Sequence, residues 1–522
     1  MKNISAVQET IWLSQNIHTQ SLLYNVGGYG FLDGKLNEPL LVRSIREVLS
    51  TTDVIAIGYY AFNDIPLSDN KDFISYDVVT IDFSTEKDAD GCCLDWIHKD
   101  MHIPFEVDKN LLKISLVKAA NDKCYWYVKV HHLIFDGYSM SLFFNKVITL
   151  YTAYITHASL PSVTDIYPYA DFINDDKAYR LSDEFEADAT FWKNRLKSGP
   201  VSKAFESCTI TENSKSLTSK RRNLIIPRRL YNEIEAFSKL HNCTPFHYFI
   251  SILFILNKFY NNDSGIIGIP VFNRRTKKFK NTIGTFVNVL PFSVDLDEHA
   301  TFAEVLILIK NELKNCYKHQ RYSLYDILQD LDIRGNIYHV NFSYQKNSYK
   351  NELDDLNASI EYINSGEQLE NLVFHLLEYS SSEDLILSVD YLEDLFTPAV
   401  VERLLKHFNN LLNTCYNTAD LLIRDLSYLD TSEKAALLAT GEEVGYPKDK
   451  TITELFEFQA TAHGSRTAVV FEEKQLSYQE LNGLANQLGH YLRLNYQVQA
   501  GDLVGICLER SEWMLVAILG IL

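Results

Sequence analysis

The sequence lacks an apolar run long enough to cross a bilayer. Its longest, Met514–Leu522, falls short of the ~20 residues a spanning helix needs, and reads as a helix inside a soluble core. No secretory leader pattern opens the chain, so the expected compartment is the cytoplasm. The eight cysteines show neither metal-ligand spacing nor a disulfide framework, and the adjacent Cys92 and Cys93 cannot easily pair with each other. Reduced thiols are expected. Positive charge is scarce. With 49 Lys and Arg against 68 Asp and Glu the net charge is -19, which argues against nucleic acid, because a phosphate backbone needs a basic face. Internal repeats and low-complexity tracts are absent. Neither nucleic acid nor membrane is therefore expected as a partner.

What is present suits an ordinary globular chain: 46% hydrophobic and 22% charged residues. At 522 residues it is too long for one core, and roughly two to four domains are expected. Helical and strand patterns alternate, which makes an α/β chain. Leu36–Leu49 and Thr244–Phe259 read as helices, the latter capped by Thr244 with Pro245 in its first turn. Leu385–Val389 reads as a strand.

The most informative stretch is His131-His132-Leu133-Ile134-Phe135-Asp136-Gly137-Tyr138-Ser139. Residues 125–132 alternate as a strand does. Trp126, Val128, Val130 and His132 share one face; Tyr125, Tyr127, Lys129 and His131 share the other. A helix over Tyr138–His157 follows, capped by Asp136 or Ser139, and Gly137 is expected to turn the chain with positive φ. An imidazole held at a strand end before a helix N-terminus suits proton movement near neutral pH. A hydrogen-bonded structural cluster fits the same spacing. Adjacent strand histidines point to opposite faces and do not easily share an ion, so no metal site is expected.

This HHxxxDGxS pattern resembles the core motif of nonribosomal peptide synthetase condensation domains, which share the chloramphenicol acetyltransferase fold. Further stretches resemble that family's motifs in their usual order. They are Gln8–Gln15 with Tyr24-Asn25, Tyr169-Ala170-Asp171-Phe172 with Phe191-Trp192, Gly268–Arg274, Ile283–Asn288, His319–Tyr322 and Asn341–Gln345. Two stretches depart. Ser50–Ile55 lacks the arginines of the second motif, and Arg321-Tyr322 replaces the acidic residue and proline of many elongation domains. Tyr125-Trp126-Tyr127 and His319–Tyr322 look closest to the first condensation domain of enterobactin-type siderophore synthetases. Further on, Leu476–Leu481 resembles the opening motif of adenylation domains, and Gly501–Cys507 the strand after it. A capping box at Thr451 opens this second pattern. The phosphate-cradling loop of an adenylation domain is not within the sequence, so amino-acid activation is not expected of it.

The resemblance implies two chloramphenicol acetyltransferase-like lobes in a V-shape, over 1–178 and 179–424. A linker over 425–450, marked by Gly441–Pro447, and an adenylation fragment over 451–522 follow. It implies amide formation between an acyl, aryl or peptidyl thioester and the amine of a carrier-bound aminoacyl thioester. No cofactor is expected on the fragment itself: phosphopantetheine arms belong to partner carriers, and ATP with Mg to a complete adenylation domain. Few residues precede the first motif, so the donor is expected in trans from an upstream acyl or aryl carrier protein. A downstream peptidyl carrier protein presents the acceptor, and the chain is expected to act as a monomeric module fragment. His132 is expected to take the amine proton or hold the amine, and Gly137 N–H to face the oxyanion. His131 and Asp136 are expected to be structural, Asp136 pairing with Arg274. Ser139 and Asn288 are expected to line the substrate tunnel, or else to serve a turn or cap. The basic cluster Arg274, Arg275, Lys277, Lys278 and Lys280 reads as a solvated loop in preference to a carrier dock. Alternatives are an ester-forming or acyl-CoA-dependent acyltransferase of the same fold, and a non-catalytic carrier-recruitment domain.

Overall fold

The structure is a computed structural model of the chain. It describes residues 4–62, 65–70, 77–158, 166–197, 204–211, 214, 216–263, 265–333, 335–346, 356–418, 420–439 and 447–522. The chain divides into two compact units, Met1–Thr431 and Ser432–Leu522. Of the expected linker motif, Gly441–Tyr446 lies outside the described residues.

The strands of the first unit begin with β1 (Asn25–Gly34), the hairpin β2 (Ile57–Phe62) and β3 (Ile65–Asn70), β4 (Val78–Asp82), β5 (Leu112–Ala120) and β6 (Lys123–His131). They continue with β7 (Ser219–Ile226), β8 (Ile267–Val271), β9 (Asn288–Phe292), β10 (Val340–Lys346), β11 (Leu356–Tyr362), β12 (Leu372–Glu378) and β13 (Leu385–Leu392). Two sheets carry the unit, a five-stranded one in the order β11-β1-β6-β5-β4 and a six-stranded one in the order β7-β13-β12-β10-β8-β9. β11 comes from the later part of the chain, yet it pairs antiparallel with β1. The expected lobe limits therefore follow chain order and not sheet membership.

Alternation along β6 decides which core each side chain enters. Trp126, Val128 and Val130 join one apolar cluster with Phe143, Phe144 and Val147 of the helix Gly137–Ile155. Tyr125 and Tyr127 join another beneath the helix Ala89–Met101. Trp126 meets the Phe144 ring edge-on at 4.5 Å between centroids, a favoured aromatic geometry. The helix Pro245–Asn261 is buried along most of its length, as its nearly unbroken apolar sequence requires. Thr244 caps it, and His247 closes the capping box by accepting from Thr244 N–H at 3.0 Å.

Element boundaries differ from expectation by a residue or two. The helix after the histidine motif ends at Ile155, because His157 takes φ of 52°. The helix Glu38–Ser50 and strand β13 lie where the periodicity put them. In the second unit, β14 (Thr467–Phe471) and β15 (Lys474–Ser477) form a hairpin beside the helices Ile452–Ala462, Tyr478–Tyr496 and Glu512–Ile521. Thr451 and Ser477 each form a capping box, with Glu454 and Glu480. Gly501–Cys507, expected as a strand, is not one: no described strand pairs with it, and a strand exists only through its ladder.

Candidate functional site

β6 ends at His131, so the two histidines differ in surroundings. His131 is buried. Its Nδ1 accepts from Leu133 N–H at 3.1 Å, which leaves the ring proton on Nε2, 3.2 Å from Gln15 Oε1. Burial pushes its pKa down to about 3, so the ring stays neutral and its hydrogen bonds are spent on the fold.

His132 opens the turn after β6. Its peptide is pinned from two sides. The N–H donates to the Tyr24 carbonyl at 2.7 Å, and the carbonyl accepts from the Thr285 hydroxyl. The side chain is half-buried, and its Nδ1 is buried without a hydrogen-bond partner. Buried polar atoms are nearly always paired, so this nitrogen is an exception in need of a reason. Burial lowers the His132 pKa and the Asp136 carboxylate only partly opposes that. The ring is therefore neutral near pH 7, the form able to accept a proton.

Asp136 caps the helix Gly137–Ile155 by accepting from Ser139 N–H at 2.8 Å. Its two oxygens also take a bidentate pair of bonds from Arg274, at 2.7 and 2.8 Å, and one from Phe286 N–H at 3.0 Å. Both charged side chains are 0% exposed. Burial alone would raise the Asp136 carboxyl; the Arg274 guanidinium overrides it and holds the group below its ordinary range. The guanidinium lies over the Phe286, Tyr138 and Phe272 rings, at 4.1, 4.7 and 5.1 Å from their centroids. Its NH2 also donates to Ser139 Oγ at 2.7 Å. The structure thus brings His132, Asp136, Ser139 and Arg274 together.

One expectation is corrected, and two residues are found hydrogen-bonded in place. Gly137 does not take a positive φ. Asp136, extended at φ -101° and ψ 175°, does the turning, so Gly137 is simply the first residue of the helix. Its lack of a side chain has another consequence, for a Cβ there would meet nothing within 4 Å, so the space beside Gly137 is open. Ser139 is tied to the Gly284 loop. Its hydroxyl donates to the Gly284 carbonyl at 2.6 Å and accepts from Gly284 N–H at 2.9 Å. Asn288 is spent likewise. Its amide donates to the Gln320 and Tyr322 carbonyls at 3.0 and 2.8 Å, and its Oδ1 accepts from Leu324 N–H at 3.3 Å.

Sequence reasoning missed the residues that hold the site from behind. Gly284 must be glycine, since a Cβ would lie 2.0 Å from the Tyr169 ring. That tyrosine's hydroxyl bonds the Thr285 carbonyl, and its N–H donates to Asp53 at 2.7 Å. Asp53 lies in the stretch that departs from the family's second motif. His319 and Arg321, from the sixth motif, bond Asp188 and Asp175 at 2.6 Å each. Of the basic loop, Arg275 pairs with Glu184 at 3.3 Å and Lys278 with Asp171 at 2.7 Å. Among the described residues no group of His, Cys, Asp or Glu is arranged to hold a metal ion, and no helix is long and apolar enough to cross a membrane.

His132, the buried Asp136–Arg274 pair that fixes its turn and the open space beside Gly137 thus lie together at the end of β6. Comparison with known proteins gives the family. Residues 1–438 match the condensation domain and residues 456–522 match the AMP-binding enzyme, so the chain belongs to the condensation-domain family and runs on into part of an AMP-binding domain. It is 25% identical to surfactin synthase subunit 1 of Bacillus subtilis over 99% of its own length and 15% of that protein. It is also 25% identical to gramicidin S synthase 2 of Aneurinibacillus migulanus, over 99% of the chain and 12% of that protein. The chain thus spans a small part of these relatives. Among solved structures, the starter condensation domain of rhizomide synthetase, in complex with C8-CoA, superposes with a TM-score of 0.72 at 17% identity, covering 81% of this chain and 96% of that one. The first condensation domain of the calcium-dependent antibiotic synthetase, with a substrate analogue, gives 0.71 at 17% identity over 82% and 99%. These likenesses establish the fold.

Proposed function

We propose that the first unit joins an acyl thioester to the amine of a carrier-bound aminoacyl thioester. The amine nitrogen attacks the thioester carbonyl, the C–N bond forms, the C–S bond breaks, and the amine proton passes by way of His132 to the departing thiolate. The observation that carries this reading is the neutral His132 ring, whose buried Nδ1 has no partner, in a motif that ends at the open space over Gly137. The Gly137 N–H, unsatisfied as helix N-terminal amides are, is assigned to the oxyanion of the tetrahedral centre. Asp136 and Arg274 hold the turn and take no proton.

The donor is assigned to an upstream acyl or aryl carrier protein acting in trans, and the acceptor to a downstream peptidyl carrier. Both are tethered through phosphopantetheine. Holding two tethered reactants in line is worth effective molarities on the order of 10⁵ M or above, more than the 10²–10⁴-fold typical of a general base. Positioning is therefore the larger share. One observation favours a second reading, in which acyl-CoA is the donor: the rhizomide domain's structure holds C8-CoA. Residues 456–522 carry no Ser/Thr/Gly-rich phosphate loop, and no ATP chemistry is assigned to that stretch. The free cysteines agree with a cytoplasmic setting.

The test is to load a carrier with an aminoacyl group, supply acyl donors on carriers or as CoA thioesters, and follow the condensed product by intact-protein mass spectrometry. Product from carrier-bound donors supports the main reading. Product from CoA thioesters alone supports the second, and equal product with His132→Ala removes His132 from the chemistry.

A further inference from the structure

β6 ends at His131, so no strand ladder fixes the backbone of His132. Two peptide planes flank its Cα, and each is rigid. The plane before it is held by the His132 N–H, which donates to the Tyr24 carbonyl at 2.7 Å, and by the His131 carbonyl, which accepts from Ile134 N–H at 3.1 Å. The plane after it is held at one edge by Leu133 N–H, which donates to His131 Nδ1 at 3.1 Å. A plane held at one edge can still tip. At the opposite edge the His132 carbonyl accepts from the Thr285 hydroxyl. With both planes fixed, φ and ψ of His132 are fixed, and so is the direction in which its side chain leaves the backbone.

The ring has little else to orient it. An imidazole that moves protons is ordinarily aimed by a hydrogen bond to its second nitrogen. Here Nδ1 is buried without a partner, and among the described residues no other side chain hydrogen-bonds the ring. Its pose therefore descends from the peptide.

Thr285 is placed to hold that peptide still. It is fully buried, and its branched Cβ keeps χ1 stiff. Its hydroxyl has one proton to donate, and His132 takes it. Behind it, the Thr285 carbonyl accepts from the Tyr169 hydroxyl, which lies 3.0 Å from Ser5 Oγ, and both of those side chains are buried. The neighbours of Thr285 reach further along the chain. Gly284 N–H donates to Ser139 Oγ at 2.9 Å, and Phe286 N–H donates to Asp136 at 3.0 Å. Those bonds fix the start of the helix; the bond from Thr285 fixes the histidine.

We infer that Thr285 is a positioning residue. Through the His132 carbonyl its hydroxyl sets the pose of the imidazole, doing from the backbone side what a carboxylate does at the second ring nitrogen of a catalytic triad. The inference rests on the function proposed above and deepens the account of its site.

The test uses the whole chain. Thr285→Val keeps the shape and removes the donor, and Thr285→Ser keeps the donor. Thr282→Val removes a buried hydroxyl of the same loop that bonds the Lys278 carbonyl at 3.1 Å. In the condensation assay Thr285→Val is expected to lower kcat toward the ~10²-fold that a misplacement of about 1 Å costs, with KM unchanged. Thr285→Ser and Thr282→Val are expected to keep the native rate. The loss should vanish in the His132→Ala background, because residues that act through one another are not additive. With histidine rings labelled for NMR, the His132 signal, assigned by its loss in His132→Ala, is expected to shift or broaden in Thr285→Val and to return in Thr285→Ser. An unchanged His132 signal in Thr285→Val, an equal change in Thr282→Val, a loss carried by KM, or a full further loss of rate in the His132→Ala background overturns the inference. If Thr285→Val does not fold, Thr285→Cys, close to serine in size but a weak donor, replaces it in the comparison with Thr285→Ser. The NMR reading needs no turnover. A His132 signal that follows the Thr285 hydroxyl in a protein that condenses nothing would refute the proposed reaction and leave the positioning role standing.

Discussion

Arg274 binds both oxygens of Asp136 across 138 positions of sequence, and neither side chain touches water. A buried pair of this kind is worth little against an apolar substitute, but breaking it strands a charge. Arg274→Leu is therefore expected to cost about 3–5 kcal/mol, read as a lowered denaturation midpoint. The sign of its pH dependence distinguishes this cause from simple loss of packing. In the native chain the Asp136 pKa is lowered, so its contribution is present above the unfolded value near 3.9 and fades as pH falls through the folded one. Without the guanidinium, burial dominates and raises that pKa. The contribution is then present below pH ~3.9 and is lost as pH rises. Unfolding curves from pH 4 to 7 should show the deficit of the variant growing with pH. A deficit independent of pH would refute the charge argument.

His131 and His132 should separate cleanly. Burial holds the folded His131 pKa at about 3, against an ordinary value of 6.5. A depressed histidine contributes stability above the unfolded pKa and loses it as pH falls toward the folded one. The shift corresponds to a loss on the order of 5 kcal/mol between those limits. His131→Gln should flatten the acid limb of stability below pH ~6.5. If the acid limbs of variant and wild type coincide, His131 does not stay neutral in the fold.

His132→Ala should leave stability nearly unchanged and lower turnover by up to about 10²–10⁴-fold, with positioning sustaining the rest. Because burial lowers the His132 pKa, the acid limb that this ring adds to the rate should lie below pH ~6.5, apart from the limb of the substrate amine near pH ~8. His132→Ala should remove the lower limb and keep the upper one, and a lower limb that survives in the variant would assign proton transfer to another group.

Some of this was legible in the chain and some was not. The alternation in β6 names the two cores its side chains enter, because a strand's period leaves no freedom in that choice. The pairing of Asp136 with Arg274 is invisible to spacing and entered only through the family resemblance. The bonds from Tyr24 and Thr285 to His132 use its backbone, which every residue has, so no pattern marks them. Gly137 was misread because Asp-Gly is a common turn signal, while here the Asp itself takes the extended conformation. The crossing of β11 is set by tertiary pairing with β1, and its own sequence carries no sign of its partner.

Gly284 and Gly137 give opposite predictions for one substitution. Gly284→Ala forces a methyl to 2.0 Å from the Tyr169 ring. Tyr169 is buried and bonded to Thr285 and Asp53, so the ring cannot retreat without pulling on the loop that holds His132. A cost of about 1–3 kcal/mol or more is expected, along with reduced activity.

Gly137→Ala meets no neighbour within 4 Å and no positive φ. Alanine also restricts the unfolded chain more than glycine does, so stability should hold or rise by about 0.4–1 kcal/mol. Turnover should nevertheless fall, because the added methyl occupies the space through which a thioester would reach the helix N-terminus, and Gly137→Val should lower it further. A variant that melts later yet condenses more slowly would locate the reacting carbonyl over Gly137. Full activity in both variants would show that the vacant space is not the path of the substrate.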